Sequence, residues 1–258
     1  MIDLKNKWIL ITGASSGIGM ACAECFAAAG MNLVITARRE ERLTALAETL
    51  KTQYNIQVET FCFDIRNAAE VETFSMALKE KNIIPFILIN NAGLAAGRSK
   101  IQEGSIADWE QMIDTNIKGL LYITRHILPS MISVNQGQVI NIGSTAGHIV
   151  YPQGNVYNAT KFAVKALNEA INLDLVDTNI KVCSIDPGAC DTEFSLVRFK
   201  GDKEIASKVY EGYEPLHAKD IAEAALFVST RPAHVNIQNI VIYPTSQRSV
   251  YVHRKLGS

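Results

Sequence analysis

Short apolar runs alternate along the chain with longer amphipathic stretches. Trp8 to Thr12, Asn32 to Thr36, Gln57 to Phe61, Phe86 to Asn90, Gln138 to Ile142, Lys181 to Ile185 and Asn239 to Tyr243 read as strands. Gly17 to Ala29 reads as a helix. So does the charged run Glu40 to Lys51, with Leu43, Leu46, Ala47 and Leu50 on one face. Further helices are predicted near 67–81, 105–133 (with a break near Gly119), 155–176 and 218–229. Strands without polar alternation, separated by amphipathic helices, predict a parallel sheet covered on both faces. The expected fold class is α/β, a single-domain doubly wound parallel sheet with helices on both faces. No linker, low-complexity tract or internal repeat divides residues 1–258. Two stretches resist the alternation: the segment 189–213, and the tail 245–258 with Arg248, His253, Arg254 and Lys255.

Composition narrows the setting. At 258 residues, 48% hydrophobic, the chain can bury a full core. A net charge of -1 gives no reason to expect nucleic acid as a partner. The five cysteines are odd in number and lie among apolar or small residues, which points to reduced thiols and the cytoplasm. Cys22 and Cys25 form a CxxC pair inside an apolar helical run with no second pair nearby, so buried small residues are expected rather than a metal site. From the opening MIDLKNKW no secretory signal is expected. The longest apolar run, Ile83 to Ile89, falls short of the roughly 20 residues a membrane helix needs, so no membrane association is expected.

Chemistry enters after the first strand, at TGASSGIG, with Gly13, Gly17 and Gly19. A glycine turn that follows a strand and opens a helix aims free backbone N–H groups and the helix dipole at an anion. Gly13, Ser15, Ser16, Gly17, Ile18 and Gly19 are therefore candidates for a dinucleotide pyrophosphate in a Rossmann fold. The spacing is G-x-x-x-G-x-G rather than G-x-G-x-x-G. At the end of the second strand stands Thr36-Ala37-Arg38-Arg39, with no carboxylate for a ribose 2′-hydroxyl. Arg38 first, and Arg39 second, are candidates to pair with a 2′-phosphate through forked donors. Cations are disfavoured at a helix start, which adds weight to a bound anion. NADP(H) is expected over NAD(H).

Tyr157 and Lys161 lie four apart on one face of a predicted helix. A phenol near its usual pKa of about 10 is a poor base at neutral pH. A nearby ammonium is expected to favour the phenolate. Tyr157 would then give a proton to a carbonyl oxygen or take one from an alcohol. Ser144, just after the fifth strand, is expected to hydrogen-bond the same oxygen.

In this order TGASSGIG, NNAG (Asn90 to Gly93), Asn116, Ser144, Tyr157-x-x-x-Lys161 and Pro187-Gly188 resemble the short-chain dehydrogenase/reductase family, from Lys5 to about Tyr243. The resemblance implies further roles. Lys161 would also bind the nicotinamide ribose, and Asn116 would hold a water in a proton relay through Lys161. Asp64, with Ile65, would sit at the adenine. Asn91, Ala92 and Gly93 would shape the cofactor floor. Pro187, Gly188 and Thr192 would lie over the nicotinamide. A homotetramer is also implied.

Several stretches, among them DWEQMIDTN (Asp108 to Asn116), GNVYNATK (Gly154 to Lys161) and TEFSLVRFKGD (Thr192 to Asp202), look like the NADP-dependent 3-hydroxy acid dehydrogenase branch, which also oxidises serine and allo-threonine. An acid substrate needs a cation, for which Arg198 is the candidate. Gln153 and Asn155, just before Tyr157, are further pocket candidates, and 189–213 is expected to act as a substrate lid. Cys190 and Asp191 in that segment would alter the pocket shape or repel an acid. Two alternatives stand beside this reading: a broad carbonyl reductase for neutral ketones and aldehydes, and a non-catalytic NADPH sensor.

Overall fold

The computed structural model describes residues 2–254; Lys255 and the three residues after it lie outside the described part. Six strands run in chain order: β1 (Trp8–Thr12), β2 (Asn32–Ala37), β3 (Val58–Cys62), β4 (Pro85–Asn90), β5 (Gly137–Ile142) and β6 (Ile180–Pro187). A closing strand, Asn239–Ile242, completes a seven-stranded sheet in the order β3-β2-β1-β4-β5-β6-closing strand. Every pairing in it is parallel. The helices are α1 (Gly17–Ala28), α2 (Glu40–Tyr54), α3 (Ala68–Glu80), α4 (Ile106–Ile113), α5 (Leu120–Ser133), α6 (Asn155–Asp174), α7 (Phe194–Arg198), α8 (Lys203–Lys208) and α9 (Ala218–Ser229).

The strands feed both faces alternately, as a period of two requires. Ile9, Ile11, Leu33, Ile35, Ile87, Ile89 and Ile140 pack toward α1, α2 and α9, against Phe26, Leu43 and Ala225. Their neighbours Leu10, Val34, Leu88, Val139 and Val182 pack the opposite way, toward α3, α5 and α6, against Phe74, Ile127 and Ile171. Because both sides are covered, the strands read as unbroken apolar runs in the sequence.

The expected break near Gly119 is absent. The helix passes from α4 into α5 through a π-helical turn, Asp114–Gly119. A Cβ on Gly119 would stand 2.9 Å from Ile65 Cγ2, so this glycine serves close packing and not helix termination. Segment 189–213 contains α7, α8 and half of a two-stranded ribbon, Cys190–Asp191 against Leu216–His217. The described part of the tail folds back over that segment. The backbone N–H of Ala189 donates to Gln247 Oε1 at 2.8 Å, and the His253 ring lies 4.9 Å from that of Tyr213. The Tyr251 hydroxyl donates to the Val150 carbonyl. Among the described residues no helix is long and apolar enough to cross a membrane.

Ile87 lies fully buried in a central strand. Ile87→Ala removes its buried methyl groups and leaves a cavity. It is expected to destabilise the chain by about 2–5 kcal/mol, read as a lowered urea midpoint at unchanged m-value.

Candidate active site

The sheet order reverses between β1 and β4, and a cavity of about 590 Å³ opens at the carboxyl ends of these strands. Two turns meet at its floor. The Thr12 hydroxyl accepts from the backbone N–H groups of Asn91 and Ala92, each at 3.0 Å. Asn91 Nδ2 donates back to the carbonyls of Thr12 (2.9 Å) and Gly13 (3.2 Å). Gly13 has φ +68°, and a Cβ there would stand 2.9 Å from Ala92 Cα. Ser16 precedes α1 in an extended conformation, and its side chain does not cap the helix. The first-turn amides are thus left for another acceptor. Gly13, Ser15, Ser16, Gly17 and Ile18 line the cavity. Gly19 does not; it packs beneath the turn, against Asn91.

One end of the cavity is cationic. Arg38, its side chain 54% exposed, is 3.8 Å from Asp64, whose carboxylate is gripped by Arg66 Nη2 at 2.6 Å. That grip holds the Asp64 carboxyl below its ordinary range. Arg39 reaches over the glycine turn, donating from Nη2 to Ser15 Oγ (3.0 Å) and Ser16 Oγ (2.6 Å). Its Nη1 donates to Glu193 at 2.8 Å, and Arg42 donates to the other Glu193 oxygen at 2.7 Å. The two guanidiniums, Arg39 foremost, pull the Glu193 carboxyl down to about 2. Arg42 and Glu193 escaped the sequence reading. Arg42 stands one helical turn after Arg39, a spacing that was visible; Glu193 lies 154 residues away and left no local signal.

The other end holds Ser144, Tyr157 and Lys161. Ser144 precedes the short 3₁₀ turn Thr145–Gly147 and accepts from the Ala146 N–H at 3.1 Å. Tyr157 and Lys161 project from one face of α6, with Lys161 Nζ 6.0 Å from the Tyr157 ring centroid and donating to the Ile142 carbonyl at 2.8 Å. The expectation that the ammonium brings the phenol down is not met in this geometry. Burial raises the Tyr157 phenol, and the groups that oppose the rise are Ser144, through a hydrogen bond, and the Arg198 charge. Burial also lowers Lys161 to about 8, against the field of Asp186.

Arg198, at the end of α7, enters the same chamber. Its guanidinium carbon is 5.4 Å from the Tyr157 ring centroid and 5.5 Å from that of Tyr151. Nη2 donates to the Tyr151 hydroxyl at 2.6 Å, and no carboxylate among the described residues pairs with it. Leu94, Ala146, Phe194 and Tyr151 wall the chamber. Ile65, Ala92, Gly93, Pro187, Gly188, Cys190 and Thr192 also line the cavity, whereas Asp191 does not. Gln153 and Asn155 line a small hollow beside Trp109 that Tyr157 and Arg198 also border, and Asn155 Nδ2 is spent on the Ser99 carbonyl at 2.9 Å. Asn116 is buried outside the cavity lining. Its amide accepts from Leu94 N (2.9 Å) and donates to Leu94 O (2.8 Å) and Thr160 Oγ1 (3.0 Å), so it ties the loop after β4 to α6.

Residues 7–202 match the short chain dehydrogenase family. The chain belongs to that family. Among relatives of this dehydrogenase, the NADP-dependent 3-hydroxy acid dehydrogenase YdfG of Salmonella typhi is 45% identical over 95% of this chain and 99% of its own length. Sulfoacetaldehyde reductase 2 of Chromohalobacter salexigens is 42% identical over 93% of this chain and 94% of its own. Among solved structures, the closed form of serine dehydrogenase complexed with NADP+ superposes with a TM-score of 0.89 at 42% identity, covering 96% of this chain and all of that one.

Glu193 is the tie between α7 and the arginines of this dehydrogenase. Because its carboxyl is held at about 2, the tie is complete above the free-glutamate value near 4.3 and is lost only as pH falls through about 2. Glu193→Gln is expected to speed tryptic cleavage within 194–213 by about threefold at neutral pH, in line with the 0.2–1 kcal/mol of an exposed pair. An unchanged cleavage rate would show that the tie does not hold the segment.

Proposed function

We propose that the chain is an NADP(H)-dependent dehydrogenase that interconverts hydroxyl and carbonyl groups on small 3-hydroxy acids, of the 3-hydroxypropanoate, serine and allo-threonine type. The observation that carries the substrate class is Arg198, a guanidinium without a carboxylate partner among the described residues, 5.4 Å from the ring of Tyr157. The relatives' names share a short substrate bearing an acid group near the reacting carbon. The acid-repelling carboxylate considered at Asp191 does not face the cavity.

The residues present fit the dinucleotide. The uncapped first turn of α1 and the Gly13 close approach suit a pyrophosphate, with Ser15, Ser16, Gly17 and Ile18 around it. Arg38 and Arg39 would hold the 2′-phosphate, Asp64 and Ile65 the adenine side. Asn91, Ala92, Gly93, Pro187, Gly188 and Thr192 would enclose the nicotinamide end, with Lys161 on its ribose. When bound, the nicotinamide supplies or accepts the hydride. Tyr157 moves the proton at the substrate oxygen, and Ser144 hydrogen-bonds that oxygen as its charge changes. Arg198 holds the carboxylate and so fixes which carbon faces the hydride. Asn116 acts from behind, holding the Leu94 loop against α6. Residues 189–213 are the lid. We further place the enzyme in the cytoplasm, in keeping with five unpaired thiols, as a homotetramer that covers exposed apolar residues such as Ile106, Leu121, Phe162 and Leu173.

The test is the initial rate of NADP reduction on 3-hydroxypropanoate, serine and allo-threonine against their methyl esters and simple secondary alcohols, repeated with NAD. Higher rates for the free acids with NADP are expected; equal or higher rates for the neutral compounds would favour a broad carbonyl reductase. Arg198→Ala should cut kcat/KM for the acids by about 10–100-fold, the worth of a charge-assisted contact, and leave the esters near wild type. Tyr157→Phe should lower kcat by roughly 100-fold or more for every substrate. A protein that senses NADPH without turnover would be indifferent to it.

A further inference from the structure

Arg39 is already engaged at the cationic end of the cavity. Its Nε and Nη2 both donate to Ser15 Oγ, at 3.1 and 3.0 Å, and Nη2 donates to Ser16 Oγ at 2.6 Å. Its Nη1 donates to Glu193 Oε2 at 2.8 Å. A guanidinium offers five N–H donors in a fixed fork, and these contacts take four of them. The three to serine are neutral, and a hydroxyl can turn to another acceptor. The fourth goes to a carboxylate, the one anion paired with Arg39 among the described residues. Arg38 differs. It is largely exposed, and its ion pair with Asp64 is loose, at 3.8 Å, because Arg66 grips that acid at 2.6 Å. Arg38 can therefore meet a phosphate as it stands, whereas Arg39 joins it by letting go of Glu193.

The chain itself sets Glu193 over this corner. Thr192 lies across the glycine turn, where a Cβ on Gly17 would stand 3.3 Å from Thr192 Cβ. Glu193 follows and lines the same cavity as Ser15, Ser16, Arg38 and Arg39. Its second oxygen accepts from Arg42 Nη1 at 2.7 Å. A phosphate monoester brings up to about two negative charges at neutral pH. At hydrogen-bond range from Arg39 it meets the Glu193 carboxylate as a like charge and as a rival for the same donors.

We propose that Glu193 is a specificity-determining residue for the coenzyme: its carboxylate competes with the 2′-phosphate of NADP(H) for Arg39. The proposal rests on the placing of that phosphate at Arg38 and Arg39 given above. Such a coupling is reciprocal. Whatever Glu193 takes from the affinity for the phosphate, the phosphate takes from the hold of Glu193 on Arg39. A coenzyme without the 2′-phosphate makes no such exchange, so Glu193 narrows the margin by which the chain prefers NADP(H) over NAD(H).

The test uses the full chain and two probes confined to the adenosine end, adenosine 2′,5′-bisphosphate and adenosine 5′-monophosphate, titrated by calorimetry. Glu193→Gln keeps the side-chain shape and removes the charge. It should tighten the bisphosphate by about fivefold, the upper range of an exposed ion pair, and leave the monophosphate within about twofold. In the wild type, saturating bisphosphate should speed tryptic cleavage within 194–213 by about twofold, since Arg42 keeps its hold, and in Glu193→Gln it should add nothing. Bisphosphate affinity unchanged or weakened by Glu193→Gln would overturn the proposal. So would equal tightening of both probes, which marks general repulsion, or slower cleavage of the wild type with bisphosphate, which marks a carboxylate that stays on Arg39. Failure of the underlying reading looks different: Arg38→Ala and Arg39→Ala would both leave bisphosphate affinity unchanged. If Arg39→Ala weakens the bisphosphate and Glu193→Gln does not tighten it, the competition alone falls.

Discussion

The site depends on one clasp. Thr12 ends β1 and Asn91 follows β4, the two strands that part company where the sheet order reverses. A hydroxyl that accepts from two backbone amides, and a side-chain amide that donates to two carbonyls, close the gap between them. All of these groups are main-chain or short side-chain atoms, so the geometry has little freedom. It sets where the glycine turn points and where the loop after β4 begins. Asn116 then takes up that loop at Leu94 and passes its position to α6 through Thr160. The glycine-turn end and the Tyr157 end of the cavity are in this way built from one short chain of hydrogen bonds.

The electrostatics follow from where burial is greatest. Tyr157 and Lys161 are both enclosed, and burial penalises phenolate and ammonium alike. Charges brought from elsewhere, Arg198 from α7 and Asp186 from β6, act on each member separately. At the opposite end the charges are exposed and paired, and their effect on the fold is correspondingly small.

Much of this was legible along the chain. The strands showed themselves because both faces are covered. The glycine turn, the Arg38–Arg39 pair and the Tyr157–Lys161 spacing are local patterns with local meaning. What stayed hidden comes from pairs that meet only in the fold. Glu193 joins Arg39 and Arg42 across the whole sheet, and His148 meets Asp186 from a neighbouring turn. Gly119 was misread for a related reason, since a glycine needed for packing against Ile65 looks, in one dimension, like a helix stop. Gly143 carried a usable hint: a lone glycine at a strand end marks the close approach of some other group, though not which one.

Helix α7 is short enough to act as a ruler. Glu193 precedes it and Arg198 ends it, so one rigid piece about 7 Å long has its origin at Arg39 and Arg42 and its tip beside Tyr157. The reach of the Arg198 guanidinium is thus measured from the far end of the cavity. A shift of Arg39 or Arg42 would therefore carry the Arg198 guanidinium along the chamber without touching any residue of the chamber itself.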